Sequence, residues 1–408
     1  MKWSQARAPL GGGAGCILAL ACVLAGCSSS TSDEGGRPSS SPLSVEVPLD
    51  ATYSSGAGSE AVVPMGRLGD RLNTFWQLFV RAPGTSQWAL VTPTGVADNG
   101  GLVVSTAEST GADKGEPTAT VSLAGFEPSQ DLAFSPLASS SDQGRSWSPG
   151  LLPAGLAPVP DAVSASLAAG FVALVREGRG TVLTSAGNLS SWSKLATRDA
   201  IASSVAGRSC GVGDLSAVAL DPTRGVQVGT TCSSSGLVGV FERAGGRWHL
   251  VGPRLSPSKP PASTKVLRLL DVGGGRSALV ALRTKTHTGL VGLASTEGGV
   301  WSTSTLLPLG SGDRIASTGV EPSGAYVVLV SRSNGSLALD IESGPGANWH
   351  TLPAPPPGTA TVAVGTGDEV DALAVASTRL TDWRLDASAG TWSKIGTVTV
   401  PIQFGSSS

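Results

Sequence analysis

The hydrophobic positions of this chain fall into short runs that alternate with small polar turns. Two segments show the unit most clearly, GLVGVFERAGGRW at 236–248 and GLVGLASTEGGVW at 289–301. Each begins with an apolar, partly alternating run and reaches a tryptophan twelve positions later. An apolar run that meets a glycine-rich turn is typical of a β-hairpin. The repeat therefore predicts short strands joined by tight turns.

Looser copies of the same unit extend this pattern over most of the chain. The tryptophans that close the copies are Trp88, Trp147, Trp192, Trp248, Trp301, Trp349 and Trp392. The steps between them are 59, 45, 56, 53, 48 and 43 residues. A period near 50 residues accommodates four short strands, as in the blades of a β-propeller. We therefore predict an all-β, seven-bladed β-propeller over residues 61–408, with six or eight blades as alternatives.

A second repeat indicates where the strands turn. Asp221, Asp271 and Glu321 follow one another at intervals of 50 residues, and each lies between two apolar runs with a glycine nearby. Acidic residues next to proline and glycine are typical of β-turns. We place these acids between the first and second strands of successive blades. We expect the ring to close by strand pairing between 397–404 and a strand near 43–65.

The N-terminal residues predict export. Residues 1–26 fit a secretory signal, because Lys2 and Arg7 precede an apolar run that is too short to span a bilayer. The run ends in LAGC, which resembles the lipobox of bacterial lipoproteins. That resemblance implies cleavage before Cys27, a lipid on Cys27, and a location on the outer face of the bacterial cell membrane. An ordinary signal peptide with an incidental cysteine is the alternative.

Residues 27–60 predict a disordered tether. Serine, glycine and proline dominate this segment, and it contains too few apolar residues to offset the entropy of ordering the chain. We therefore divide the protein into a signal peptide at 1–26, a tether at 27–60 and a propeller domain at 61–408.

Charge and cysteine content narrow the function classes. The chain has 28 basic and 30 acidic residues, and this balance argues against general nucleic-acid binding.

Cys210 and Cys232 are the two cysteines that follow the predicted signal peptide and lipid-bearing residue. An even pair of cysteines in an oxidising compartment predicts a disulfide, with two free buried thiols as the alternative. No cysteine or histidine partners lie at metal-ligand spacing, so we expect no metal and no cofactor. We expect a monomer.

The stretch SSSDQGRSW at 139–147 follows the pattern S-x-D-x-G-x-x-W through Ser140, Asp142, Gly144 and Trp147. It resembles the Asp-box, or BNR repeat, of sialidase-like propellers. The resemblance implies a structural role, in which the aspartate and serine bind backbone amides of a hairpin turn and the tryptophan packs inward. The turns TEGGVW and SAGTW lack the Asp-x-Gly core of the motif.

Catalytic motifs of the sialidase-like enzymes are not evident. Those enzymes need three arginines, a tyrosine nucleophile and an Arg-Ile-Pro signature, and this chain has no Arg-Ile-Pro. Tyr53 falls in the predicted tether, and Tyr326 lies inside the apolar run AYVVLV. We assign no catalytic residue. A sialidase-like or other glycoside hydrolase remains the alternative.

The sequence favours a binding or scaffold module for a surface glycan or a protein. Propellers commonly bind through the loops between second and third strands and through the blade connections. Basic residues in those loops could attract an anionic partner, with solvated loop charges as the alternative. These residues are Arg176, Arg179, Lys285, His287, Arg332 and Arg379. A further alternative is an assembly factor for a membrane complex.

Overall fold

The computed structural model describes residues 49–401 apart from 55–57, 67–73, 83, 95, 97–100, 109–118, 127–136, 151–159, 176–179, 188, 256–259, 273–274, 285–286, 298, 322 and 365–368. The predicted signal peptide, Cys27 and the tether up to residue 48 lie outside the described residues. Arg176, Arg179 and Lys285 lie outside them as well.

Within the described residues, consecutive strands pair antiparallel and group into seven units, named blades 1 to 7. Blade 1 comprises β1 (Leu49–Ser54), β2 (Gly58–Gly66), β3 (Thr74–Arg81) and β4 (Ala89–Leu90), and blade 2 comprises β5 (Leu102–Glu108), β6 (Thr120–Phe126), β7 (Leu137–Ser140) and β8 (Ser148–Pro149). Blade 3 comprises β9 (Ala162–Ser166), β10 (Gly170–Val175), β11 (Thr181–Ser185) and β12 (Ser193–Thr197). Blade 4 comprises β13 (Val212–Asp221), β14 (Gly225–Cys232), β15 (Gly239–Ala244) and β16 (Arg247–Leu250).

Blade 5 comprises β17 (Ser263–Val272), β18 (Gly275–Arg283), β19 (Thr288–Ser295), β20 (Trp301–Thr303) and β21 (Leu307–Leu309). Blade 6 comprises β22 (Arg314–Val320), β23 (Tyr326–Ser331), β24 (Leu337–Glu342) and β25 (Trp349–Leu352). Blade 7 comprises β26 (Thr359–Val364), β27 (Val370–Ala376), β28 (Arg379–Asp386) and β29 (Thr391–Thr399). In blade 5, β20 and β21 both pair with β19. Inner strands such as β10 and β26 are buried along their whole length, while the outer strand β16 alternates between half-buried and exposed residues.

The hydrophobic core is divided among the contacts between blades. The buried apolar residues form seven clusters in the described residues, and each cluster draws on two consecutive blades. One of them joins the last blade to the first, since Val63 and Phe79 pack with Leu373 and Leu380. Each blade thus covers the apolar face of its neighbour, as a closed propeller requires. The all-β propeller fold predicted from the sequence is confirmed.

Ring closure differs from the expectation. Among the described residues, β29 pairs only with β28, and blades 7 and 1 share one backbone bridge, in which the Gly66 N–H donates to the Ser377 carbonyl at 2.9 Å. The predicted pairing of strands from the two chain ends is therefore wrong for these residues. Each end already supplies a complete four-stranded blade, so the ring closes by side-chain packing instead.

Two additional ladders join blades through their strands. β1 pairs antiparallel with β2 and parallel with β22 of blade 6, and β14 pairs with β17 between blades 4 and 5. β1 and the first residues of β2 lie inside the segment 27–60 that the composition predicts to be a tether. The domain boundary at residue 60 stays a prediction.

Antiparallel succession gives the disc two different faces. First-to-second and third-to-fourth turns lie on one side, named the turn face. Second-to-third loops and blade connections lie on the other side, named the loop face. The acids Asp221, Asp271 and Glu321 lie at first-to-second turns, as predicted.

Two short helices interrupt the connection between blades 3 and 4 on the loop face. They are α1 (Arg198–Ser203) and α2 (Val205–Cys210), capped by the hydroxyls of Thr197 and Ser204. The predicted disulfide between Cys210 and Cys232 is confirmed, and it ties α2 to the end of β14. Loop-closure entropy over a sequence separation of 22 gives the disulfide a contribution of about 3 kcal/mol. No helix in the described part of the chain has the length and apolar character needed to cross a membrane.

Candidate functional site

The residues that resemble an Asp-box form the third-to-fourth turn of blade 2. The Ser140 hydroxyl donates to Asp142 Oδ1 at 2.8 Å and accepts the Gly144 N–H at 2.8 Å. Asp142 also accepts the Ser146 N–H at 2.9 Å and its hydroxyl at 2.6 Å. These hydrogen bonds, led by the one from the Ser146 hydroxyl, lower the pKa of Asp142 to about 2. The carboxylate is thus fully occupied in holding its own turn.

The same turn fixes blade 2 against blade 1. Gly144 has a φ of 78°, and a Cβ there would lie 2.7 Å from a methyl group of Val91. The Trp147 indole N–H donates to the Val91 carbonyl at 2.7 Å. In blade 5 the indole of Trp301 makes the equivalent bond to the Val251 carbonyl at 2.8 Å. In blades 2 and 5 the closing tryptophan therefore links its blade to the end of the preceding one, whereas Trp192 donates within its own turn, to the Leu189 carbonyl at 2.9 Å.

Blade 7 has a similar turn that sequence reasoning missed. Asp386 accepts the N–H groups of Ser388 and Ala389, each at 3.0 Å, and the Ser388 hydroxyl at 2.6 Å. The Ser388 hydroxyl is the main cause of the lowered pKa of Asp386. The degenerate motif SAGTW begins two residues after this aspartate. An aspartate six positions before Trp392 was the signal that could have identified it.

A buried charged cluster closes the ring between blades 7 and 1. Arg81, at the end of β3, pairs with Asp371 and lies 3.5 Å from Asp382 Oδ2. The Trp88 indole N–H donates to the same Asp382 oxygen at 2.9 Å, and the Arg81 guanidinium lies 4.9 Å from the centre of the Trp88 ring. All four side chains are buried. With Arg384, they are named the ring-closing cluster.

Arg384 supplies the second positive charge of this cluster. Its Nε and Nη2 donate to the two oxygens of Asp371 at 2.8 and 3.2 Å, so Asp371 lies between arginines of two blades. Burial, followed by the charge of Asp371, raises the pKa of Asp382 to about 6 against the opposing effects of Trp88 and the arginines. The cluster therefore pairs two carboxyl groups with two guanidinium groups at the seam.

Two adjoining cavities open on the turn face beside this cluster. The first has a volume of about 370 Å³ and is lined by Gly58, Ser59, Arg81, Ala82, Gly84, Thr85, Ser86, Glu369 and Arg384. The second has a volume of about 560 Å³ and is lined by Val80, Ala82, Gly84, Thr85, Ser86, Gln87, Trp88, Ala89, Val91, Gln143 and Arg145. Both border the segment 84–86, and together they are named the blade 1 groove.

The blade 1 groove lies on the side of the disc opposite to the predicted ligand loops. Its walls come from blades 7, 1 and 2, and the lining residues Gly58 and Arg384 are 326 positions apart in the chain. No local sequence pattern brings Glu369 and Arg384 to Ser86. This is why sequence reasoning did not find the groove.

The predicted ligand residues on the loop face have different surroundings. Arg332 forms an ion pair with Asp313 at 2.7 Å, and this bond is the main cause of the lowered pKa of Asp313. His287 and Arg379 are exposed. For all six residues the role in ligand binding stays a prediction.

Further basic residues reach the loop face through blade connections. Arg208 in α2, Arg254 after β16 and Arg314 at the start of β22 are exposed, like Arg379. None of the four has a carboxylate partner among the described residues. The described charged residues near this face are eight bases and five acids: Arg198, Arg208, Arg254, Lys265, Arg283, Arg314, Arg332, Arg379, Asp50, Asp161, Asp199, Asp214 and Asp313.

Comparison with known proteins found matches among solved structures but none among family models or curated proteins. Among solved structures, a complex described as YCF48 bound to D1 peptide shares 15% identity over 81% of this chain and 90% of that chain, with a TM-score of 0.41. A proposed 6-phosphogluconolactonase from Bacteroides fragilis shares 10% identity over 88% and 97%, with a TM-score of 0.49. The fucose-specific lectin of Aleuria aurantia shares 11% identity over 86% and 94%, with a TM-score of 0.38.

Proposed function

We propose that this protein is a non-enzymatic binding or scaffold module, presented outside the cell by a lipid on Cys27, that holds a surface glycan or a protein segment. The observation that carries the proposal is the blade 1 groove. Two cavities totalling several hundred Å³ meet along one exposed segment, which is the concave form that recognition sites take.

The chemistry of the groove suits a partner that both donates and accepts hydrogen bonds. At the first cavity, Glu369 is 46% exposed and Arg384 is 31% exposed, and they are 3.4 Å apart. Thr85 and Ser86 add hydroxyl groups between the cavities, while Val91 and Ala89 add apolar surface in the second. Peptides and glycans both present alternating polar and apolar groups of this kind.

Hydrolytic chemistry has less support. A paired-carboxylate glycosidase needs two carboxyl groups that reach the substrate. The close pair Asp371 and Asp382 is buried against arginines, and neither residue lines the cavities described above. Tyr326 is fully buried at the start of β23, so it is not placed to act as a nucleophile. No specific observation favours the assembly-factor alternative over general binding.

The test is to block the groove and leave the fold intact. Arrays of envelope glycans and of peptides supply the two partner classes that appear in the descriptions of the similar structures. Ser86→Trp, between the two cavities, should abolish any specific retention. Ala387→Trp, on the exposed turn of blade 7, is the matched control and should retain the wild-type profile. Equal binding by both variants would place recognition outside the groove.

A further inference from the structure

We infer that the loop face docks on a bilayer surface of anionic phospholipid, so that the disc rests on the membrane and turns the blade 1 groove outward. This inference rests on the lipid anchoring included in the proposed function. It adds an orientation and names the membrane phosphates as the partner of the loop face.

Four arginines provide the charge for this contact. Arg208, Arg254, Arg314 and Arg379 come from the connections and loops of blades 4 to 7, so they follow an arc around the loop face. Arg208 donates to the Ser203 carbonyl, and Arg254 donates to the Ser235 carbonyl at 3.1 Å. These backbone contacts leave the positive charges uncompensated.

The loop face is basic although the protein is not. Its described residues contribute eight bases and five acids, a local net charge of 8 − 5 = +3. The whole chain carries −2. Among the described residues, positive charge is therefore in excess on this face.

Anionic headgroups match this face in chemistry and in reach. A guanidinium group binds phosphate through two parallel N–H donors, which a lysine cannot do. The attraction of a basic residue to an anionic surface is felt within roughly one Debye length, about 8–10 Å at physiological salt. Arginines distributed over four blades can act together only on an extended anionic surface.

The path of the chain brings the same face to the anchor. β1 runs parallel to β22, and Leu49 is level with Ser317, only three residues from Arg314 at the loop face. The polypeptide therefore enters β1 from the loop-face side. A lipid on Cys27, 22 positions before Leu49, would thus raise the effective concentration of these arginines at the bilayer.

The first experiment isolates the electrostatic contact from the anchor. The full chain carrying Cys27→Ser is sedimented with phosphatidylcholine vesicles that contain or lack phosphatidylglycerol. We expect binding only to the anionic vesicles, with loss in high salt. Combining R208E, R254E, R314E and R379E should weaken that binding by at least about tenfold, since each arginine is expected to contribute roughly fivefold.

A matched variant controls for net charge. K194E, R243E, R247E and K394E together make the same change in charge at exposed positions away from the loop face. This variant should bind anionic vesicles within about twofold of the parent. Equal losses in the two variants would overturn the inference, as would binding that is indifferent to phosphatidylglycerol. Retention of a soluble polyanion such as polyglutamate without vesicle binding would also overturn it, because the loop face would then serve an acidic soluble partner.

The second experiment measures orientation on the lipidated protein. Val205 on the loop face and Val300 on the turn face are 78% and 70% exposed, so each accepts a fluorophore after substitution by cysteine. Quenching by headgroup-labelled lipid should be strong for V205C and weak for V300C. The reverse order, or equal quenching, would contradict the orientation. Mass spectrometry of the membrane fraction tests the lipid on Cys27, and the Ser86→Trp assay tests the groove, so each failure can be traced to its own step.

Discussion

Two seams of the ring bury carboxyl groups, and they neutralise them in different ways. Between blades 7 and 1, Asp371 and Asp382 meet the guanidinium groups of Arg81 and Arg384. Between blades 5 and 6, Glu342 meets no cation among the described residues within ion-pair distance. At the first seam, arginine side chains compensate the negative charge of the carboxyl groups. At the second seam, a bound proton removes the charge of the carboxyl group.

The environment of Glu342 explains the second case. One of its oxygens accepts the Tyr326 N–H at 3.1 Å, and the other lies against the backbone of Gly292, where a Cβ would be only 1.7 Å away. Burial, followed by the charge of Glu321, raises the pKa of Glu342 to about 8, although the bond from Tyr326 opposes the shift. The side chain is therefore protonated at neutral pH.

The comparison shows that a buried carboxyl group at a seam can be neutralised by arginine or by a proton. Arginine is also used between consecutive blades, since Arg276 of blade 5 pairs with Glu242 of blade 4. Blades 5 and 6 follow each other in the chain, and an uncharged carboxyl group is sufficient where they meet. Blades 7 and 1 come from opposite ends of the sequence, and Arg81 and Asp382 are 301 positions apart. There a set of directional ion pairs fixes how the two ends align. The two seams should consequently respond differently to mutation, and the stabilisation from the protonated carboxyl group should be lost at a lower pH for Asp382 than for Glu342.

Arg81→Met should produce the largest loss of stability. It removes one partner of a buried ion pair and leaves Asp371 and Asp382 with a single remaining cation, a change that typically costs about 3–5 kcal/mol. Urea unfolding at pH 7 measures the loss. Arg243→Met, at an exposed position, is the control and should stay within about 0.5 kcal/mol of the wild type. A loss at Arg81 as small as that of the control would show that packing alone closes the ring.

Glu342→Gln should change the pH dependence instead. The folded protein holds the Glu342 proton more tightly than the unfolded chain, since the folded pKa of about 8 exceeds the ordinary value of 4.5. The stabilisation is therefore complete below pH 4.5 and is lost as the pH rises through 8. Between pH 6.5 and 8.5 the wild type should lose about 2 kcal/mol of unfolding free energy, and the variant should lose little.

The measurement is urea unfolding at several pH values in that window. Asp382 titrates mainly below it, so the window reports on the blade 5–6 seam. The variant should be the more stable protein at pH 8.5. Parallel curves for the two proteins would mean that Glu342 is charged at neutral pH and has an unrecognised partner.

Ser140→Ala should have the smallest effect, because it acts on a turn at the edge of one blade. It removes the acceptor of the Gly144 N–H and one donor to Asp142, which should cost about 1 kcal/mol. Thr296→Ala in the corresponding turn of blade 5, where backbone bonds alone close the turn, should cost less than about 0.5 kcal/mol. Thermal unfolding of both variants tests the difference, and a Ser140 loss equal to that of Arg81 would contradict the ranking.

Periodic features of this fold were predictable from the sequence, and contacts between distant segments were not. The recurring tryptophan and the acids at 50-residue intervals report on local hairpins, so they indicated strands, turns and blades. Arg81 and Glu342 lie at the ends of ordinary apolar runs, and nothing near them in the sequence reveals their partners. Buried ion pairs at a seam depend on how distant strands align in space.

The candidate surfaces show the same limit. Sequence reasoning took its candidate residues only from the loops between second and third strands, and so it selected Arg332 and Arg379 but not Arg208, Arg254 or Arg314. The latter lie in blade connections of irregular length, where no repeat marks them. The blade 1 groove needs three blades to form, so its residues could be collected only from the folded ring.

The position of β1 has a mechanical consequence. This strand pairs on one side with β2 and on the other with β22, so it connects blades 1 and 6 directly. A pull on the N-terminal segment, from a protein fixed at one end, would act along the axis of β1. The load would then be shared by the hydrogen bonds of both ladders at once, in shear, and would not open them one at a time. A module that must hold a partner against flow or cell-wall movement gains a slower forced unfolding from this geometry.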